Sequence, residues 1–274
     1  MSSQLQTAID ELVIANRILA AEKVCDAFGH VSIRNPEDPQ KFLLSRGRAP
    51  ELIEAADIMQ FTLQGAVASG NGKPYLERFI HGAIYESRPD VQAVVHSHSY
   101  SVVPFSVIGE KLRPIMHVCA TIGADIPVWD PQLNFGDTDL LVADMQQGRD
   151  LAKALGARTS ILMRGHGSTV AASTLREAVY AAVMLEINAN LQLKAQAFGP
   201  VTFLTPGEID KIRARQNKGR PGEGFDRAWQ YWLRHAGFPT TICRASCPPS
   251  RPPVSCAGSP SRWIRRWRSM PICS

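Results

Sequence analysis

The segment Val91-Gln92-Ala93-Val94-Val95-His96-Ser97-His98 is an apolar run that ends in two histidines. The run is short and rich in β-branched residues, and it follows Pro89, which is typical of a buried β-strand. Successive strand side chains point to opposite faces, so His96 and His98 share one face. Two imidazoles side by side at a strand end are a common arrangement for holding a divalent metal.

A second apolar run, Ser160-Ile161-Leu162-Met163, leads into Arg164-Gly165-His166-Gly167. His166 therefore also follows a predicted strand. Three neutral imidazoles with an open coordination position are typical of a catalytic metal site and not of a closed structural one. We predict that His96, His98 and His166 bind one divalent metal ion.

The rest of the body alternates between strand-like and helix-like patterns and contains no internal repeat. Such alternation over one continuous stretch predicts a single layered α/β domain, residues 1–240. The predicted strands are 28–34, 41–44 and 57–62, and the predicted helices are 3–24, 78–87, 140–155 and 175–198.

Composition indicates an ordinary globular protein, with 45% hydrophobic and 20% charged residues. The first residues lack the basic and apolar regions of a secretory signal, and no apolar run approaches the roughly 20 residues of a membrane span. We therefore expect a cytoplasmic location and no membrane partner.

The last stretch, residues 241–274, is rich in Pro, Ser, Arg and Cys and has no amphipathic period, so we expect a disordered tail. It holds six of the 30 basic residues and no acidic one. The body is left with 24 basic and 25 acidic residues, so the formal charge of +5 belongs to the tail. No nucleic-acid partner is expected.

A metal that does chemistry needs an acid or base beside it, and the candidate is Glu77, at the head of a predicted helix. His117, expected on a strand leading toward the site, is the second catalytic candidate. His30 lies beside Gly29 in a turn and could contact a ligand, whereas His81 lies in the apolar face of a helix and is expected in the core.

Three arginines are candidates for binding an anion. The guanidinium fork matches a carboxylate or a phosphate in two-point contact. Arg46 and Arg48 flank a glycine turn, and Arg78 follows Glu77 directly. If these segments converge on the metal, the partner is a small anionic substrate.

Several of these motifs, in this order, resemble the class II aldolase/adducin family over about residues 5 to 235. The motifs are Gly29-His30-Val31-Ser32-Ile33-Arg34, Glu77, Val94-Val95-His96-Ser97-His98, Phe135-Gly136-Asp137-Thr138 and Arg164-Gly165-His166-Gly167. The resemblance implies a three-layer αβα sandwich around a mixed, largely antiparallel sheet. It also implies a manganese or zinc ion on the three histidines, a catalytic glutamate at Glu77, and a homotetramer with sites at subunit interfaces.

Three departures set the chain apart from the sugar-phosphate aldolases of that family. Those aldolases have Gly-Asn in place of Gly29-His30, Ser-Gly in place of Ser45-Arg46, and a serine pair in place of Tyr75-Leu76. The small residues cradle a phosphate, so the chain looks more like the decarboxylase branch, which acts on hydroxylated ring dicarboxylates. The substrate-binding residues would be His30, Ser45, Arg46, Arg48 and Arg78.

The predicted function is a metal-dependent decarboxylase of a hydroxylated aromatic or pyridine dicarboxylate. Breaking a C–C bond leaves negative charge on an enolate-like intermediate, which a Lewis-acid metal stabilises. Glu77, expected to be neutral in a partly buried site, would donate the proton. Two alternatives stay open: an aldolase that cleaves a sugar phosphate or hydroxy acid, and a metal-free interaction module like adducin.

Overall fold

An eight-stranded sheet forms the middle layer, in the order β4-β3-β2-β1-β5-β8-β7-β6. Neighbouring strands are antiparallel, except that β6 and β7 are parallel. The strands are β1 His30–Arg34, β2 Lys41–Ser45, β3 Ile58–Thr62, β4 Val67–Ser69, β5 Ala93–Ser97, β6 Val128–Trp129, β7 Ser160–Met163 and β8 Gly167–Ala172.

The described residues contain eight α-helices. They are α1 Ser3–Ala21, α2 Arg78–Ser87, α3 Val103–Val107, α4 Gln132–Phe135, α5 Met145–Leu155, α6 Leu175–Gln196, α7 Pro206–Gln216 and α8 Asp226–His235. Helices α2 and α5 pack together on one face, and α1, α6 and α8 pack on the other. The predicted three-layer αβα sandwich around a mixed, largely antiparallel sheet is confirmed.

Burial on both faces explains why the strand that ends at His96 and Ser97 reads as a continuous apolar run and not as an alternating pattern. Every residue of β1, β5 and β8 is buried. A strand covered by helices on both sides has no solvent-facing positions, so polar and apolar residues need not alternate. Beneath α2 and α5 the core includes the stacked rings of Phe42 and Phe61, whose centroids lie 5.4 Å apart.

The computed structural model describes residues 2–218, 220 and 222–239. The tail predicted to be disordered, residues 241–274, lies outside these residues. Within the described ranges, no helix combines the length and the apolar character that crossing a membrane requires.

One edge of the sheet gathers the candidate residues. Strand β1 begins there, and β5 ends beside it, with His30 paired to His96. Gly29, just before β1, has φ +94°, and a Cβ there would lie 2.7 Å from the Cys25 sulfur and 3.1 Å from the His96 carbonyl. Only glycine allows this turn, which delivers His30 to the edge.

Candidate metal centre

The two histidines of β5 converge at this edge. The side chain of His96 is fully buried, and that of His98 is partly buried just beyond the strand end. Their Nε2 atoms lie 3.0 Å apart. The two-residue period of the strand thus brings both imidazoles to one point, as the sequence predicts.

His166 arrives from the hairpin that joins β7 to β8. A Cβ on Gly167 would lie 2.1 Å from the Ser97 carbonyl oxygen, so only glycine allows the hairpin to approach β5 this closely. The His166 Nε2 atom lies 3.0 Å from that of His98. Close backbone packing therefore completes the group of three imidazoles.

The hydrogen bond of His166 Nδ1 determines which ring nitrogen carries the proton. Its Nδ1–H donates to the Leu140 carbonyl at 3.0 Å, which leaves a lone pair on Nε2 for a metal. Leu140 has φ +66°, a left-handed conformation in which a non-glycine residue is strained, and its N–H donates to the Thr138 hydroxyl at 3.0 Å. The Gly136-Asp137-Thr138 motif thus holds a carbonyl that orients the His166 ring.

Glu77 faces the three histidines from the start of α2. Its side chain is buried, with one oxygen 3.5 Å from the Nε2 atoms of both His96 and His166. The other oxygen accepts the Val142 N–H at 3.1 Å. Glu77 is therefore a member of the cluster and not a solvated residue of the first helical turn.

The ionisation of Glu77 differs from the sequence-based expectation. Burial by itself raises the pKa of this carboxyl, but His96, His166 and the Val142 N–H outweigh burial and lower the pKa to about 2. The expectation of a neutral Glu77 is wrong, because that expectation considered burial without the neighbouring imidazoles. Glu77 is a carboxylate at neutral pH.

The donor set fits a divalent metal. One ligand atom from each of Glu77, His96, His98 and His166 can be chosen so that all lie within 4.8 Å of one another. Burial lowers the pKa of His96 and of His98, which favours the neutral imidazole that a metal requires. Three converging lone pairs repel unless a cation lies between them, and imidazole nitrogen with carboxylate oxygen suits zinc or manganese.

His30 is the fifth residue at this edge. Its ring centroid lies 5.0 Å from that of His96 and 4.6 Å from that of Tyr75. Ser45 is fully buried at the end of β2, next to the Tyr75 hydroxyl, which donates to the Arg48 carbonyl. The structure therefore brings His30 to the cluster and places Ser45 within protein packing.

The three arginines make contacts that the sequence did not reveal. Arg46 and Arg48 both bind the carboxylate of Asp57, at 2.6 and 2.7 Å. Arg78 donates to the carbonyls of Gly65 and Tyr75, at 2.7 and 2.9 Å. These contacts hold the segments around the site, and they commit Arg78 to the backbone.

The ion pairs of Asp57 with Arg46 and Arg48 predict a loss of stability at low pH. Burial raises the pKa of Asp57, but Arg46, the Glu54 N–H and Arg48 lower it overall below 3.8. A carboxyl whose pKa is lower in the folded than in the unfolded protein stabilises the fold at pH values above its unfolded-state pKa. This stabilisation is lost as the pH falls through the folded-state pKa. Asp57→Asn should lower the free energy of unfolding by about 2 kcal/mol at pH 7.

Urea denaturation at pH 7 and at pH 3 measures this effect. The difference between wild type and Asp57→Asn should shrink at the lower pH. Asp125→Asn, which removes an exposed ion pair with Arg158, is the matched control and should change stability little. A difference between wild type and Asp57→Asn that is the same at both pH values would contradict the role assigned to the carboxylate.

His117 is not on a strand. It begins the 3₁₀ helix His117–Ile122, which contacts α6, and its side chain is exposed. The predicted strand is wrong here, because a short apolar segment can also form a 3₁₀ helix, and hydrophobicity alone does not distinguish the two. The cluster of potential metal ligands does not include His117.

Sequence reasoning missed the groups that support the ligands. These are the Leu140 carbonyl, the Val142 N–H and the Thr169 hydroxyl, which lies 3.5 Å from His96 Nδ1. Two are backbone groups, to which residue type gives no guide. The Asp137-Thr138 motif was the one available signal, since it lies just before Leu140 and Val142.

Residues 10–193 match the family model described as the Class II Aldolase and Adducin N-terminal domain. The chain belongs to this family. That span contains all four residues of the cluster, and the match confirms the family predicted from the ordered motifs.

Several curated relatives are decarboxylases. Decarboxylase tropJ of Talaromyces stipitatus is 35% identical over 79% of this chain and 89% of its own length. The 3,4-dihydroxyphthalate decarboxylase of Arthrobacter keyseri is 32% identical over 70% of this chain and 80% of its own length. Among solved structures, L-fuculose 1-phosphate aldolase from Glaciozyma antarctica has a TM-score of 0.70 at 26% identity, covering 86% of this chain and 93% of its own.

These similarities confirm a carbon–carbon lyase in the decarboxylase branch of the family. Carboxy-lyases and aldehyde-lyases both break a C–C bond, so one fold can serve both kinds of reaction on different substrates.

Proposed function

We propose that the protein is a metal-dependent decarboxylase of a hydroxylated aromatic or pyridine dicarboxylate. The observation that carries the proposal is the buried cluster of Glu77, His96, His98 and His166, in a chain whose relatives include decarboxylases. The proposed cofactor is one zinc or manganese ion per subunit, held by the three imidazoles. When bound, the ion supplies a Lewis acid next to the breaking bond.

Glu77 is proposed to move the proton. Its carboxylate is ionised and lies within 3.5 Å of two ligand atoms, so it can accept a proton from a substrate hydroxyl. After CO2 leaves, it can return a proton to the ring carbon. The Val142 N–H binds the other carboxylate oxygen and holds Glu77 in place during both steps.

Arg46 is proposed to bind the carboxylate that stays on the ring. The β1–β2 register pairs Ser32 with Leu44, so two residues further it places Arg46 opposite His30 at the same edge. Neighbouring strands lie about 4.8 Å apart, so Arg46 lies two strands, or about 10 Å, from His96. Asp57 accepts a hydrogen bond from the Arg46 Nε, and the Arg46 side chain is 41% exposed, so its two terminal nitrogens can reach an anion.

Arg46→Ala should raise the Michaelis constant for the dicarboxylate by about tenfold to a hundredfold, since a charge-assisted contact contributes about 1.5 to 3 kcal/mol. The constant for a monocarboxylate analogue should change little. Steady-state kinetics on both compounds measure the effect. Arg149→Ala, which removes a surface arginine paired with Glu86, is the control. An equal rise of the Michaelis constant for both compounds would show that Arg46 only supports the structure.

The experiment that tests the proposed function is a substrate panel. The metal-loaded protein is incubated with hydroxyphthalates, including 3,4-dihydroxyphthalate, hydroxypyridine dicarboxylates, and phosphorylated sugars. CO2 release and aldehyde release are then measured. We expect CO2 from ring dicarboxylates only. Aldehyde from a phosphorylated sugar, without CO2 from any ring acid, would show an aldolase.

We also propose a homotetramer with sites at subunit interfaces. The exposed rings of Phe28 and Tyr100 support this assembly. Phe28 lies next to His98, and Tyr100 binds Asp26, just before Phe28 in the chain. Exposed apolar surface beside a site is suited to contact with another subunit.

A further inference from the structure

Four buried polar side chains form a continuous hydrogen-bonded row behind the metal cluster. His30 Nδ1 lies 2.7 Å from His81 Nε2, and His81 Nδ1 lies 2.6 Å from the Ser32 hydroxyl. The Ser32 hydroxyl lies 2.8 Å from that of Tyr85. All four residues are at most 3% exposed. The row thus links the His30 ring to the interior beneath α2.

Tyr85, at the inner end of the row, determines which group is the donor in each hydrogen bond. Burial raises the pKa of Tyr85, so the phenol keeps its proton. Among the described residues the Ser32 hydroxyl is the one hydrogen-bond partner of the Tyr85 hydroxyl, so Tyr85 donates and Ser32 accepts. The reverse direction would bury the Tyr85 proton without an acceptor, which is costly.

Each donor assignment then determines the next one along the row. Since Ser32 accepts from Tyr85, its own proton goes to His81 Nδ1. Burial lowers the pKa of His81 to about 3, so the ring is neutral and carries its single proton on Nε2. That proton is donated to His30 Nδ1. A neutral His30 must therefore carry its own proton on Nε2.

We propose that His81 is a positioning residue that holds His30 as an Nε2–H donor, and that this N–H binds an anionic oxygen of the substrate beside the metal. The proposal rests on the proposed function for the identity of that oxygen, a ring carboxylate. Among the described residues no partner is found for His30 Nε2, although the ring is 3% exposed and lies against His96. His30 then recognises the substrate and does not accept its proton.

The first test reads the tautomer directly and needs no substrate. Nitrogen-15 spectra of the zinc-loaded protein distinguish the Nε2–H from the Nδ1–H form of a neutral imidazole, and His30→Gln assigns the signals. We expect His30 in the Nε2–H form. An Nδ1–H form would overturn the inference, whether or not the protein releases CO2 from ring acids.

The second test compares two substitutions of His81. Glutamine can still donate an N–H to His30 Nδ1, whereas leucine cannot. His81→Leu should raise the Michaelis constant for the ring dicarboxylate about tenfold, with turnover and zinc content nearly unchanged, because it removes one oriented hydrogen bond. His81→Gln should recover most of this loss.

Two outcomes of the second test would overturn the inference. One is an unchanged Michaelis constant in His81→Leu. The other is equal loss in both variants together with loss of zinc, which would mark His81 as structural only. If His81→Leu does not fold, the Ser32→Ala variant is used instead, since it adds no volume. Without the Ser32 hydroxyl, His81 can carry its proton on either ring nitrogen. His30 should then show both tautomers, and a single Nε2–H form would contradict the directing role of the row.

Discussion

Replacing His96 by alanine should remove both the metal and the activity. His96 supplies one of three imidazole nitrogens that meet at one point, and the two that remain cannot hold a divalent ion tightly. We expect bound metal to fall from about one ion per chain to near zero, and turnover to fall below detection. The same holds for His98→Ala and His166→Ala. Elemental analysis and activity assays on the purified variants measure both effects.

The control for the metal-ligand variants is His235→Ala. His235 is exposed and pairs with Glu22 on the surface, so its loss should leave metal content and turnover unchanged. A triple His96, His98 and His166 variant that retains stoichiometric metal would contradict the assignment of the site.

Glu77→Gln should lower turnover by about 10² to 10⁴, the usual range for losing a positioned acid or base. The amide keeps a carbonyl oxygen that can accept the Val142 N–H, so the fold and the metal should remain. It cannot carry the proton between the substrate and the ring carbon. Single-turnover kinetics, with the melting temperature and metal content alongside, separate the loss of chemistry from a loss of structure.

Glu177→Gln is a matched control, because Glu177 and Glu77 are both 8% exposed. Glu177 binds the hydroxyl and the backbone N–H of Ser173 just before α6 and is not in the cluster. Its substitution should lower the melting temperature with little effect on turnover. If Glu77→Gln instead behaved like Glu177→Gln, the carboxylate would be structural.

The fold and the convergence of the three histidines could be predicted because local patterns encode them. The apolar run before His96 and His98 is buried on both faces, and its two-residue period directs both rings to one point. The glycines around His166 mark the close approach of its hairpin to β5. These signals depend on the spacing of residues along the chain, which the sequence states directly.

The roles of the charged residues could not be predicted, because they depend on pairs that are distant in sequence. Nothing local shows that Asp57 lies between Arg46 and Arg48. The ionisation of Glu77 likewise depends on His96 and His166, and burial alone points in the wrong direction. His81 was expected in the core, which is correct, but its contacts with His30 and Ser32 come from the packing of α2 on β1.

Decarboxylation in deuterium oxide would follow both the loss of CO2 and the proton transfer assigned to Glu77. The metal-loaded protein is mixed with 3,4-dihydroxyphthalate, and the ring protons and CO2 are followed together. We expect one CO2 and one deuterium at the vacated ring carbon per turnover, with both lost in Glu77→Gln and His96→Ala. The proposed function would be contradicted if no hydroxylated ring dicarboxylate released CO2 while a phosphorylated sugar was readily cleaved to an aldehyde.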